Sequence, residues 1–148
     1  MKILLDTNIL VHAYNKSSPN QKQASNIMKQ AMKGEIEACL TAQVIYEFFA
    51  VVTNPKRVEC PMKLDEAADL CMDLWECREI EKVTPTPVTP NKVFKLAKEL
   101  KLAKGRIFDC IIAITAKENK VDAIYTENVD DFEKYSFIKV LNPFTHDR

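Results

Sequence analysis

The sequence predicts an α/β fold in which a mostly parallel five-stranded sheet is covered by helices on both faces, and three observations predict it. Five short apolar runs, at 3–5, 38–40, 82–84, 123–126 and 137–141, are bounded by polar residues at strand length. Longer stretches with helical periodicity lie between them, at 20–33, 42–53, 64–78, 90–101 and 107–118. Strand and helix therefore alternate, and crossover helices between parallel strands end up on the two faces of the sheet. A chain of 148 residues is the size of one such layered sandwich, so a single domain over 1–148 is expected.

Each element has a local reason. Ile3-Leu4-Leu5 reads as a first, central strand, and Asp6, Thr7 and Asn8 stand before Ile9-Leu10-Val11 as good caps for a short turn of helix. The helix over 42–53 is apolar around its circumference and should be largely buried, and Pro55 ends it. Asp65 opens the next helix after Pro61, and Pro85-Thr-Pro-Val-Thr-Pro90 is a rigid connector. The helix over 107–118 again has almost no polar face.

The composition is that of an ordinary folded protein, 47% hydrophobic and 28% charged with two glycines. Lys+Arg and Asp+Glu both count 21, so the whole-molecule field does not draw in a polyanion, and nucleic-acid binding would need a local basic patch. The five cysteines, Cys39, Cys60, Cys71, Cys77 and Cys110, have no zinc-like spacing and read as reduced, mostly buried thiols. No apolar run reaches membrane-spanning length and no cleavable leader is visible, which points to a cytoplasmic protein.

Candidate chemistry lies in separated carboxylates. Asp6 follows the first strand at the carboxyl end, where open α/β sheets place their ligand crevice; it is equally a helix N-cap. Glu47 sits within the apolar helix, where an acid is costly unless paired or metal-bound. Asp109 opens the last long helix, where the positive helix end is a competing explanation. The loop Thr126-Glu127-Asn128-Val129-Asp130-Asp131 gathers polar side chains at another strand's carboxyl end, and Thr126, Asn128 and Asp131 can face the same crevice as Asp6. Acids on three such positions describe a cluster that a hard cation would neutralise, and an oxygen-only site suits Mg2+ or Mn2+.

Four segments in order, Leu5-Asp6-Thr7-Asn8, Val44-Ile45-Tyr46-Glu47-Phe48, Asp109-Cys-Ile-Ile-Ala-Ile-Thr-Ala116 and Thr126-Glu-Asn-Val-Asp-Asp-Phe132, resemble the successive motifs of PIN domains. Thr53-Asn54-Pro55-Lys56-Arg57 and Val140-Leu141-Asn142-Pro143 resemble the VapC-type toxin branch. The resemblance implies a Rossmann-like three-layer sandwich with sheet order 3-2-1-4-5, a homodimer, a protein antitoxin and cleavage of RNA; with a metal-activated water as nucleophile, that cleavage should leave 5'-phosphate and 3'-hydroxyl ends. The resemblance places metal ligands at Asp6, Glu47 and Asp109, and a Thr-x-Asp/Asn element at Thr126 and Asn128. Asn128 departs from the aspartate that many relatives carry, leaving Asp130 or Asp131 to supply that charge and putting the number of bound metals in question.

RNA needs positive groups. Lys92, Lys95, Lys98, Lys101 and Lys104 recur at every third position before Arg106, either as a phosphate-binding stripe or as a solvated helix face. Asn8, Thr126, Lys95, Lys98 and Arg106 are accordingly the candidate substrate contacts. Two other readings compete: a catalytically silent PIN-like module that holds RNA or protein, favoured by Asn128, and a Mg2+ phosphatase, disfavoured because Asp6-Thr7-Asn8 stands where Asp-x-Asp is needed.

Overall fold

The structure, a computed structural model, describes residues 1–145. Its strands are β1 (Lys2–Leu5), β2 (Glu37–Leu40), β3 (Glu81–Lys82), β4 (Ala123–Tyr125) and β5 (Lys139–Leu141). Its helices are α1 (Thr7–Tyr14), α2 (Gln21–Met32), α3 (Ala42–Val52), α4 (Leu64–Glu76), α5 (Thr89–Leu100), α6 (Arg106–Glu118) and α7 (Val129–Phe132). Every strand pair is parallel, in the order β3-β2-β1-β4-β5.

That order explains where a site can form. From β1 the chain steps to β2 and β3 on one side, then returns to lay β4 against the other side of β1. The carboxyl end of β1 is thus the switch point at which successive connections diverge and leave a crevice. Leu4, Leu5, Leu40 and Ile124 are fully buried, as expected of strands covered on both faces. With Ile9, Leu10, Phe48 and Ile112 they form one continuous core, each large side chain contributing about 1.5–3 kcal/mol by leaving water.

Several boundaries differ from the sequence expectation. α1 runs eight residues and not a single turn, since Ile9, Leu10 and Ala13 bury one face of it. β3 has two residues, β5 begins at Lys139, and α4 stops at Glu76 before an extended Cys77. The proline connector ends sooner than expected: Thr89 and Pro90 already belong to α5, because proline lacks only an N–H that a first helical turn does not use. Asp65 lies inside the first turn of α4, and Lys63 occupies the cap position. Among the cysteines only Cys39 and Cys110 are buried, all five are free, and Cys60 is exposed.

The largest correction concerns α3. Its hydrophobicity does not mean burial all round: Val44, Ile45, Phe48 and Val52 face the core, while Tyr46 and Ala50 are exposed. Glu47 is half-buried on the boundary between these faces.

Candidate active site

One crevice of about 520 Å3 at the carboxyl end of the sheet is lined by Glu127, which is hydrogen-bonded to His12, and by four further acidic side chains: Asp6, Glu47, Asp109 and Asp131. These four arrive from four elements: the end of β1, the middle of α3, the first turn of α6 and α7.

Asp6 satisfies both of its competing descriptions. It is the N-cap of α1, with Oδ1 accepting from the backbone N–H of Thr7 at 2.8 Å. Its Oδ2 accepts from the hydroxyl of Thr126 at 2.8 Å and the amide of Asn8 at 3.3 Å. Burial raises its pKa above the ordinary range, the hydrogen bonds from Thr126 and Thr7 oppose that rise, and the charges of Glu47 and Asp131 add to it. Capping alone would not surround a carboxylate with other carboxylates.

Among the described residues Glu47 is held by hydrogen bonds and not by an ion pair. Its Oε2 accepts from the Thr7 hydroxyl at 2.9 Å and its Oε1 from the Gln43 amide at 3.1 Å, one turn back on α3. Asp109 is different, because among the described residues its carboxylate accepts no hydrogen bond. Its pKa is pushed up to about 6, first by burial and then by the negative charges of Asp131, Asp6 and Glu47, with Lys134 opposing. A helix end that stabilised the anion would pull the other way, so the like charges and desolvation dominate here.

Asn8 and Thr126 line up as clamps. The Asn8 amide also donates to Thr126 Oγ1 at 3.0 Å, its carbonyl oxygen accepts from the Glu127 backbone at 2.9 Å, and Thr126 Oγ1 accepts from the Asn128 backbone at 3.0 Å. Thr126 is fully buried. These bonds tie the loop after β1 to the loop after β4 and fix Asp6 between them. Asn128 is exposed on the rim, and of the two aspartates that follow it Asp131 lines the crevice.

Lys95, Lys98 and Arg106 are exposed and none lines the crevice. Lys95 borders a separate groove with Lys92, Lys117 and Phe137, and Lys92 is paired with Glu118 at 3.2 Å. Among the described residues Arg57 is the one lysine or arginine that does line the crevice. It follows the proline that ends α3, and no pattern of charge spacing marks it in the sequence. Gln43 and His12 also escaped the sequence reading, which took Thr7 for a helix cap and not for a partner of Glu47. His12 meets Ser18 Oγ at 2.6 Å through Nδ1 and Glu127 Oε2 at 2.7 Å through Nε2.

Carboxylate and amide oxygens are the donors a hard divalent cation takes, and the mutual repulsion at Asp109 is the imbalance such a cation relieves. The donor set fits by its chemistry. It is not pre-assembled: among the described residues no three acidic, histidine or cysteine side chains are gathered closely enough to hold an ion as they stand. Glu47 and Asp6 have their oxygens engaged by Thr7, Gln43 and Thr126.

Comparison with known proteins agrees with this fold. The family described as PIN domain matches residues 3–138. The chain is 30% identical over 143 residues to ribonuclease VapC24 of Mycobacterium tuberculosis, with 97% of each chain covered. Among solved structures it is similar to M. tuberculosis VapC20, a sarcin-ricin loop cleaving toxin, with TM-score 0.69 at 11% identity over 94% of this chain and 98% of that one. A DNA-bound VapBC2 from Rickettsia felis gives TM-score 0.65 at 19% identity, over 96% and 98%. A toxin–antitoxin complex from Klebsiella pneumoniae gives 0.64 at 19%, over 97% and 98%. At those identities the structural likeness is one of fold.

Proposed function

The chain belongs to the PIN domain family, and from that membership and its acidic crevice we propose that it is a Mg2+- or Mn2+-dependent endoribonuclease. The observation that carries the reading is the convergence of Asp6, Glu47, Asp109 and Asp131 on one crevice, with the Asp109 carboxyl pushed up to about 6. Similarity to a ribonuclease over nearly the whole chain supports RNA as the substrate.

Asp6, Glu47 and Asp109 would hold the ion. When bound, it supplies positive charge to a scissile phosphodiester and makes a water acidic enough to attack it. The chain's own groups prepare that chemistry. Thr126 and Asn8 hold Asp6 in one orientation. Thr7 and Gln43 hold Glu47 in the wall of the crevice, where it would orient the attacking water. Asp131 supplies the charge that Asn128 lacks. Arg57 offers the phosphate a cation from the open side, and Lys95, Lys98 and Arg106 contact phosphates further along the strand.

Because water and not the ribose 2'-hydroxyl attacks, the products carry 5'-phosphate and 3'-hydroxyl ends. We further assign the protein to a toxin–antitoxin pair, which the names of similar proteins support, and infer a homodimer whose crevice a protein antitoxin blocks. Asn128 favours a second reading, a catalytically silent RNA- or protein-binding module.

Incubation with total RNA and end-group analysis separates the two. Cleavage is expected with Mg2+ or Mn2+, absent in chelator, and reduced by more than about 100-fold in Asp6→Asn. Cleavage that persists in chelator, or that leaves cyclic phosphate ends, overturns the metal-dependent mechanism; no cleavage under any condition favours the silent module.

A further inference from the structure

A second pocket, of about 350 Å3, lies between α3 and α6 and shares Glu47 as a wall with the acidic crevice. We infer that this pocket is a nucleobase subsite, seating the base beside the phosphate to be cut and thereby choosing the cleavage site. The inference rests on the ribonuclease reading for its substrate.

Two aromatic residues flank the pocket, and each immediately precedes a site acid: Tyr46 before Glu47 and Phe108 before Asp109. One residue along a helix is a rotation of about 100°, which sets each ring on the face next to its acid. Both rings are open to solvent, Tyr46 at 72% and Phe108 at 55% exposure. Exposed rings beside a polyanion-cleaving crevice are stacking platforms, since single-stranded RNA is held by stacking of unpaired bases as well as by its phosphates.

The interior supplies what a base edge needs. Ile111 and Ile112 make the pocket mostly apolar, and Thr115, 1% exposed, stands in its wall with a buried hydroxyl that has no hydrogen-bond partner among the described residues. Buried hydroxyls are ordinarily satisfied, and a threonine in a helix usually bonds to the carbonyl one turn back. Gln43 adds a free acceptor. Its amide nitrogen donates to Glu47 Oε1 at 3.1 Å and to the Phe108 carbonyl at 3.2 Å. Both partners are acceptors, which fixes the orientation of the amide and leaves its oxygen unbonded among the described residues. A flat ring with a donor-and-acceptor edge meets all of these demands; an aliphatic side chain from a protein partner would bury the two polar atoms unsatisfied.

The test is sequencing of the cleaved ends from a randomised RNA pool, with kinetics on one preferred site. The parent is expected to prefer one base at a position next to the cut bond. Phe108→Ala is expected to raise KM by about 5- to 150-fold, the loss of one stacked base, with kcat little changed. Thr115→Val is expected to flatten the base preference while melting no lower than the parent, and Thr115→Ser to keep the preference. Unchanged KM and unchanged preference in an active Phe108→Ala and Thr115→Val overturn the subsite and leave the ribonuclease reading intact.

If the parent cuts no RNA, the ribonuclease reading fails and methyl NMR judges the pocket separately. Nucleoside 5'-monophosphates should shift the methyl signals of Ile111, Ile112 and Thr115, and ribose 5-phosphate should not. Equal effects of the two, or shifts that follow protein concentration alone, give the pocket to something other than a base.

Discussion

Asp109 has a carboxyl pushed up to about 6 from an ordinary 3.8, by burial first and then by Asp131, Asp6 and Glu47. Its folded pKa lies above the unfolded one, so the native state binds the proton more tightly. The stability this confers is fully present below the unfolded value and is lost as pH rises through about 6. Asp6 is raised in the same direction by burial and acts with the same sign. In chelator the protein should therefore lose melting temperature between about pH 4 and pH 7, and Asp109→Asn should lose less of it. At pH 7 the variant is expected to melt higher than the parent, on the order of 3 °C, as a strained functional group relieved of its charge. Melts across that range decide the matter: a variant that melts lower at pH 7 with an unaltered pH profile would mean that Asp109 serves only the helix end.

At the scale of elements, the positive groups divide between two places. Arg57 reaches the crevice from the turn after α3, whereas Lys95 and Lys98 lie on α5, away from it. Lys101 ends that helix in the left-handed region with φ of 54°, and Lys104 repeats the conformation at 57° before α6 begins. The stripe therefore leaves the helical register before it reaches Asp109. Replacing Lys95 and Lys98 with glutamine is expected to weaken RNA binding evenly across sequences and to lower the salt slope by about 0.7 for each phosphate of a single strand that is no longer neutralised. Turnover at saturating RNA should hold. Arg57→Gln should lower turnover as well, since it stands at the reacting phosphate. Binding titrations between low and moderate salt, with kcat for all three proteins, check this; identical affinities would return the α5 lysines to a solvated face.

The whole molecule is neutral by count, 21 basic against 21 acidic residues, yet its negative charge is concentrated where the sheet order changes direction. A cation bound there joins only the native state and stabilises it by mass action, by about 2.7 kcal/mol at a concentration 100 times the dissociation constant. Mg2+ and Mn2+ are therefore expected to raise the melting temperature of the parent, and Asp6→Asn or Asp109→Asn to lose most of that response. Calorimetry of the three proteins with and without metal measures it. A parent that does not respond at saturating metal contradicts the proposed ligand set.

Strand and helix alternation, and hence the α/β class, was legible in the sequence because each element carries its own hydrophobic period. Asp6, Glu47 and Asp109 could be singled out because each stands against an apolar segment, and four ordered motifs marked the family. Bare hydrophobicity misjudged α3, where an exposed Tyr46 and a buried Phe48 look alike until the neighbours of the helix are known. The tertiary structure alone could bring Arg57 to the crevice, turn Asn8 and Thr126 into clamps for Asp6, and hold Gln43 between Glu47 and Phe108. Those outcomes depend on contacts between residues far apart in the chain. Periodicity reports which way a side chain faces on its own element; which other elements it meets is decided by strand order and helix packing.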